Sequence, residues 1–280
     1  MNTHRIAFQG EIGAYSEQAA LQYFGENITL LPVPTFKALF ATIENGTADA
    51  AVVPIENSLA GSVYENYDLL LAHQLPIVGE TILSISHHLL ALPGVKKTDI
   101  RRVLSHPQAL GQCKAYLDKW SGIEIVPGYD TAGSAKTVRE HQLRDTAAIA
   151  SRQAAAEYDL HILDSDIATN HENFTRFLVL TKQPNSPESG GKTSIVYAMK
   201  DIPGALFKSL AVFALRDINL LKIESRPLHG KPFDYFFYLD FEGSIREERT
   251  EKALSHLGEI TTFLHVLGSY TKGEITKTSR

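Results

Sequence analysis

The chain has 280 residues, 44% hydrophobic and 21% charged, with a formal net charge of −5. That describes about two globular domains, each able to bury a core, and the acidic balance argues against nucleic acid as a partner. Cys113 is the only cysteine, which excludes an intrachain disulfide. No stretch is apolar enough for long enough to span a membrane, and residues 1–5 carry no apolar leader, so the expected location is cytoplasmic.

Residues 5–9 read as a first strand. A turn over 10–16 leads into a helix over 17–24, with Ser16 as its cap and Gly25 as its stop. Strand, glycine turn and helix N-terminus together form an anion-binding corner, although the third glycine of a dinucleotide fingerprint is missing. Residues 28–33 are a second strand. Thr35 caps a helix that places Phe36, Leu39, Phe40 and Ile43 on one face and stops at Gly46. The third strand, 50–55, is apolar throughout, as expected when both faces are covered, and it ends in Glu56-Asn57-Ser58. Ser62 and Glu65 form a capping box for a helix running to Leu71. Such open α/β sheets bind ligands at the carboxyl ends of their strands, where 10–16 and 56–58 fall.

An extended stretch over 77–92 carries the chain into a second lobe, about 84–165. His87 and His88 are strand neighbours facing opposite sides, a poor arrangement for a metal, and read as structural. A strand over 102–104 ends at Ser105-His106-Pro107-Gln108, and Pro107 suits a first helical turn. Leu110, Cys113, Leu117 and Trp120 form the buried stripe of that helix, while Gln108 and Gln112 share another face. A strand over 124–126, a helix around 135–141, a strand over 147–150 and a helix over 151–158 complete the lobe. The chain returns through the polar run Asn170-His171-Glu172-Asn173, which becomes strand-like at Thr175-Arg176-Phe177. A hydroxyl beside a guanidinium offers a neutral donor and an anion clamp together. Two α/β lobes joined by two crossings enclose a cleft, a favoured place for a small molecule.

Residues 183–191 are a linker by composition. Beyond it come a strand over 193–199, a helix over 205–216 opened by Pro203-Gly204, strands over 219–224 and 235–241, a helix over 246–257 and a strand over 263–270. The order βαββαβ is ferredoxin-like. The expected division is a catalytic domain over 1–182, a linker over 183–192 and a second domain over 193–275.

Five short runs, read in order, carry a resemblance. They are Pro54-Ile55-Glu56-Asn57-Ser58, Ser105-His106-Pro107-Gln108-Ala109 with Gln112-Cys113, Thr175-Arg176-Phe177, Gly204-Ala205-Leu206-Phe207 and Glu224-Ser225-Arg226-Pro227. Together they resemble the monofunctional prephenate dehydratases. The first three look like the dehydratase motifs and the last two like the phenylalanine-binding motifs of an ACT regulatory domain. No helical chorismate mutase segment precedes Arg5, so mutase activity is not expected. The resemblance implies a two-lobed, periplasmic-binding-protein-like catalytic domain and an ACT domain. It also implies decarboxylative dehydration of prephenate to phenylpyruvate in phenylalanine biosynthesis.

Aromatisation drives that reaction, so no metal or other cofactor is implied. Thr175 and Arg176 are the catalytic candidates, Thr175 assisting the leaving hydroxyl and Arg176 either anchoring the pyruvyl carboxylate or serving as a structural ion-pair partner. Asn57, Ser58, Ser105, Gln108, Gln112 and Phe177 are the substrate-binding candidates. Gly204, Ala205, Leu206, Phe207, Glu224, Ser225, Arg226 and Pro227 would bind phenylalanine as feedback inhibitor, between paired domains of a homodimer or homotetramer. The competing readings are an arogenate dehydratase and a non-catalytic small-molecule-binding regulator.

Overall fold

A computed structural model describes residues 4–185, 187–188, 191–228 and 235–275. By their contacts the residues form two compact units. One takes in the chain up to Asn66 together with Thr81–Phe177, and the other Tyr67–Glu80 together with Leu178–Gly273.

The chain opens with β1 (His4–Gln9), α1 (Tyr15–Phe24), β2 (Ile28–Val33), α2 (Phe36–Glu44), β3 (Ala50–Asn57), the short β4 (Gly61–Ser62), α3 (Tyr64–His73) and β5 (Ile77–Ser84). The Thr35 hydroxyl accepts from the Ala38 N–H at 3.1 Å, as its position before an apolar helical face predicts. Ser16 does not cap α1. The helix starts two residues earlier than expected, at Tyr15, its N-cap is Ala14, and no side chain fills that role. Ser62 is paired with Glu56 in β4.

The second group of elements is β6 (His88–Ala91), β7 (Arg102–Ser105), α4 (Pro107–Gln112), α5 (Lys114–Leu117), β8 (Glu124–Pro127), α6 (Thr131–Glu140), β9 (Thr146–Ala150), α7 (Arg152–Glu157) and β10 (His161–Asp164). The helix expected over 107–120 is broken at Cys113, yet Leu110, Cys113 and Leu117 still enter the core. Strand β10 has no counterpart in the sequence reading. Strand β11 (Phe174–Thr181) then joins the first sheet, ordered β2-β1-β3-β11-β5 with β4 on β3, and the second sheet is ordered β10-β6-β9-β7-β8. Both sheets mix directions or connect by crossovers. In the second, β7 is parallel to β8 and β9 while β6 is antiparallel to β9 and β10.

The turn before α1 meets the start of α7. The Ser151 hydroxyl caps α7 and donates to the Gly13 carbonyl at 2.8 Å, while Tyr158 donates to the Ile12 carbonyl at 2.7 Å. A side chain on Gly13 would come within 2.8 Å of the Ala154 backbone, so the approach requires glycine there.

The remaining elements are β12 (Lys192–Ala198), α8 (Ala205–Ala214), β13 (Leu220–Pro227), β14 (Tyr235–Glu242), α9 (Glu248–Ile260) and β15 (Phe263–Tyr270). The sheet is antiparallel, ordered β13-β14-β12-β15, and has the βαββαβ order expected. Strand β13 runs three residues past the expected end at Glu224, so Ser225, Arg226 and Pro227 are ladder residues opposite Phe237, Phe236 and Tyr235. One face, with Ile195, Tyr197, Leu239 and Phe241, packs on Val212 and Phe213 of α8 and Ala253 and Leu257 of α9. The other face is covered by Tyr67–Glu80. There Lys192 Nζ lies 2.8 Å from Glu80 and 3.1 Å from Asp240, Arg226 pairs with Asp68 at 2.6 Å, and Tyr238 donates to the Tyr67 carbonyl at 2.8 Å. Both faces of β12 are therefore closed, and all seven of its residues are buried.

Candidate active site

A cavity of about 180 Å³ opens at the carboxyl ends of β1 and β3 and the amino ends of α1, α4 and α6. Its walls include Gly10, Tyr15, Ser16, Asn57, His87, His106, Gln108, Gln112, Asp130, Thr175 and Phe177. Strand β11 delivers Thr175 and Phe177, two residues apart and so on one side of the strand. Arg176 faces the other side. Its guanidinium donates to Glu56 Oε2 at 3.1 Å, and it is not part of the wall.

The polar contacts start from Asn57. Its Nδ2 donates to Thr175 Oγ1 at 3.0 Å and to Asn173 Oδ1 at 2.7 Å, and its Oδ1 accepts from the N–H groups of Leu59 and Ala60. Thr175 Oγ1 thus already holds one donor, which leaves the hydroxyl proton to point into the cavity. Gln108 reaches Asn57 Oδ1 at 3.5 Å, and Gln112 Oε1 lies 2.8 Å from His87 Nε2 and 3.0 Å from Asn173 Nδ2. At the start of α1, the N–H groups of Tyr15 and Ser16 have no acceptor among the described residues, and both residues line the cavity. These are the orphan donors that a helix N-terminus offers to an anion.

Among the described residues, the wall holds no lysine or arginine, and its one carboxylate is Asp130. That side chain caps α6 by accepting from the Gly133 N–H, and burial holds its carboxyl above the usual carboxylate range. Burial lowers the basicity of both His87 and His106. His106 caps α4, accepting from the Gln108 N–H at 3.2 Å.

Two other substrate-binding candidates lie elsewhere. The Ser58 hydroxyl accepts from the Phe174 N–H at 2.9 Å and donates to the Glu172 carbonyl at 3.2 Å, fastening β11. Ser105 is fully buried and donates to the Ile149 carbonyl at 2.6 Å between β7 and β9. Conversely, Tyr15, His87, Asp130 and Asn173 were not singled out from sequence as site residues, and His87 was read as structural. Their one sequence signal is position. Tyr15 begins a helix after a strand, and Asn173 lies in the polar run before Thr175.

In the second unit, Gly204 holds a left-handed conformation at the N-cap of α8, with Ala205, Leu206 and Phe207 following it. Leu206 is 39% and Phe207 76% exposed. Glu224 lies 3.5 Å from Lys222 Nζ.

The prephenate dehydratase family model matches residues 6–185. The chain belongs to the prephenate dehydratase family. Among curated relatives, arogenate dehydratase/prephenate dehydratase 2, chloroplastic, of Arabidopsis thaliana is 50% identical over 277 residues, covering 95% of this chain and 72% of that one. Among solved structures, a prephenate dehydratase in complex with L-Phe from Arthrobacter aurescens is 35% identical with a TM-score of 0.87, covering 95% of this chain and 90% of the other. A structure described as GqqA, a novel type of quorum-quenching acylase, has 34% identity and a TM-score of 0.87, covering 96% of this chain and 98% of the other. The enzyme is a lyase of the prephenate and arogenate dehydratase class. The expectation of a cytoplasmic location is overturned by the chloroplastic names of the Arabidopsis relatives, and the lack of an apolar leader in residues 1–5 carries no location.

Proposed function

We propose that this dehydratase acts on prephenate, releasing phenylpyruvate, carbon dioxide and water, and that phenylalanine inhibits it through the C-terminal βαββαβ module, read as an ACT domain in an at least dimeric enzyme. The preceding two-sheet part is read as periplasmic-binding-protein-like, since the chain crosses between its sheets before β6 and again before β11. The observation that carries the catalytic reading is the Thr175 hydroxyl, supported from behind by Asn57 and lining the cavity. As the ring carboxylate leaves as carbon dioxide, its bonding electrons move through the ring and expel the hydroxyl on the opposite carbon. Charge grows on that oxygen, and the Thr175 O–H bond to it strengthens in step. The Asn57 N–H stabilises negative charge passed back to Oγ1. A proton taken up by the departing hydroxide makes water.

A wall without Lys or Arg among the described residues suits this chemistry. A tight ion pair to the departing carboxylate would stabilise the ground state, whereas neutral donors orient it without that effect. The N–H groups of Tyr15 and Ser16 are the proposed seat of the pyruvyl carboxylate. Arg176 is assigned the structural role, bridging β11 to Glu56 beside Asn57.

Arogenate is the second reading, and Asp130 favours it. Arogenate carries an ammonium where prephenate has a keto oxygen, and a cavity carboxylate attracts the first and not the second. Appearance of phenylpyruvate from prephenate, or of phenylalanine from arogenate, measured side by side with and without phenylalanine, tests both readings. Asp130→Asn keeps the α6 cap and should lower kcat/KM for arogenate relative to prephenate by about tenfold, a charge-pair contribution of roughly 1.4 kcal/mol. Turnover of neither substrate rejects the catalytic proposal.

A further inference from the structure

The amides behind the cavity are oriented by the backbone. Asn57 Oδ1 accepts from two main-chain N–H groups, at 3.1 and 2.9 Å, so a reversed amide would set donors against donors. Asn57 Nδ2 is therefore the donor to Asn173 Oδ1 at 2.7 Å, and Asn173 has only its own Nδ2 to offer Gln112 Oε1 at 3.0 Å. Gln112 Oε1 also meets His87 Nε2 at 2.8 Å. An amide oxygen can only accept, so His87 carries its proton on Nε2, and Nδ1 is an acceptor toward the Tyr15 hydroxyl, whose single proton is shared between Nδ1 at 3.0 Å and the Ser86 carbonyl at 2.6 Å. With its oxygen taken twice, Gln112 keeps only its amino group to present to the cavity it lines.

We propose that Asn173, fully buried and outside the cavity wall, is a positioning residue that sets the hydrogen-bond polarity of the site by forcing Gln112 to act as a donor toward substrate. The proposal rests on the dehydratase reading for its purpose. A dianionic substrate in a cavity whose described walls hold no Lys or Arg is held by neutral donors, and an amide presenting its oxygen would repel it. The sequence also needs both halves of the asparagine amide, one to accept from Asn57 and one to donate to Gln112.

Asn173→Asp tests this with almost no change of shape. The introduced carboxylate still accepts from Asn57 but sets oxygen against Gln112 Oε1. Gln112 relieves the clash by turning over. It then donates to the carboxylate and to His87 Nε2, His87 moves its proton to Nδ1, and the Gln112 oxygen faces the substrate. Protonation of the introduced carboxyl restores a donor and reverses the sequence. The titratable groups facing the network are His87 and His88, Tyr15 from α1, Cys113 next to Gln112, and Asp166. All but His87 are common to variant and wild type, and the spectra follow His87 directly, so the ratio of the two activities read beside them isolates the introduced carboxyl.

Kinetics of wild type, Asn173→Asp and Gln112→Glu between pH 5 and 8, with long-range ¹H–¹⁵N spectra of His87, form the experiment. The expected result is a kcat/KM loss of about tenfold or more for Asn173→Asp at pH 8, a size within reach of one lost polar contact. The variant-to-wild-type ratio should recover as pH falls, and His87 should switch from the Nε2–H to the Nδ1–H tautomer at high pH. A ratio independent of pH, or His87 unchanged in the folded variant, overturns the proposal. If Asn173→Asp does not fold, Gln112→Glu decides. It keeps an acceptor for Asn173 and His87 but removes the amino group, and wild-type kcat/KM in that variant overturns the proposal. The His87 spectrum reads the network without turnover, so an enzyme inactive on both substrates would reject the functional reading separately.

Discussion

Asn57 donates a hydrogen bond to the Thr175 hydroxyl at 3.0 Å, across 118 positions of sequence. One side chain ends β3 and the other begins β11, so the neighbouring strands of one sheet bring both to the same rim. Thr175→Ala should lower kcat by about 10²–10⁴-fold, the range for a proton-donating group in a transition state. Thr175→Ser keeps the donor and should retain much of the activity. Steady-state kinetics on both variants check this, and a Thr175→Ala enzyme with wild-type kcat would remove Thr175 from the mechanism.

Arg176 turns away from the cavity, and its replacement should be felt in stability. Lysine cannot reproduce the planar guanidinium fork toward Glu56. The pair is partly exposed, so a loss of about 1 kcal/mol is expected, or roughly 2–4 °C in Tm. KM should change less than twofold. A thermal melt together with a KM determination on Arg176→Lys separates the roles. A large rise in KM at unchanged Tm would return Arg176 to the substrate.

Much of the architecture is legible in local pattern. Thr35 caps α2, Pro107 opens α4, and Gln108 and Gln112 do share a face and do reach the cavity. Where the reading departs, tertiary structure is the cause. The position of Ser16 before the apolar run points to a cap, but the turn after β1 starts the helix two residues earlier, at Tyr15. Ser105 looks exposed at a strand end, yet β9 lies beside it and takes its hydroxyl. The His87–His88 pair reads as structural because strand neighbours face opposite sides, and no sequence period reveals that Tyr15 of α1 and Gln112 of α4 meet His87. The role of Asn173 lies in orientation rather than composition.

Cys113 is fully buried, and burial pushes its thiol up to about 12. Its folded value lies above the usual value of a free cysteine, so it binds a proton more tightly when native. Its contribution is complete below about pH 8.5 and is lost as pH rises toward 12. Native protein at pH 8 should resist iodoacetamide and label on denaturation, as read by intact mass. Rapid labelling of the native protein would show the helix break at Cys113 to be open to solvent.

Inhibition by phenylalanine should act through the proposed ACT module. The effector must bind a less active arrangement more tightly than the active one. A coupling of ~1–3 kcal/mol would change apparent substrate affinity by roughly 5–150-fold, and substrate would weaken phenylalanine binding by the same factor. Calorimetric titration with and without a non-reacting substrate analogue measures both sides. Gly204→Val, at a left-handed backbone position, and Glu224→Ala should each weaken binding. Undiminished binding in both would move the effector site elsewhere.

The sheet face against Tyr67–Glu80 sets a rule for building chimeras. At Gly268, any side chain would stand 2.1 Å from the Ile77 carbonyl oxygen, and the ammonium of Lys192 is enclosed by Glu80 and Asp240. A C-terminal module grafted from another chain at the linker alone would arrive without the segment shaped to it, leaving either a steric clash or the buried Glu80 carboxylate without its ammonium, a defect of several kcal/mol. Exchange should succeed only as a two-piece transplant, with junctions at Asn66/Tyr67, Glu80/Thr81 and Phe177/Leu178, so that the donor supplies both halves of the lock.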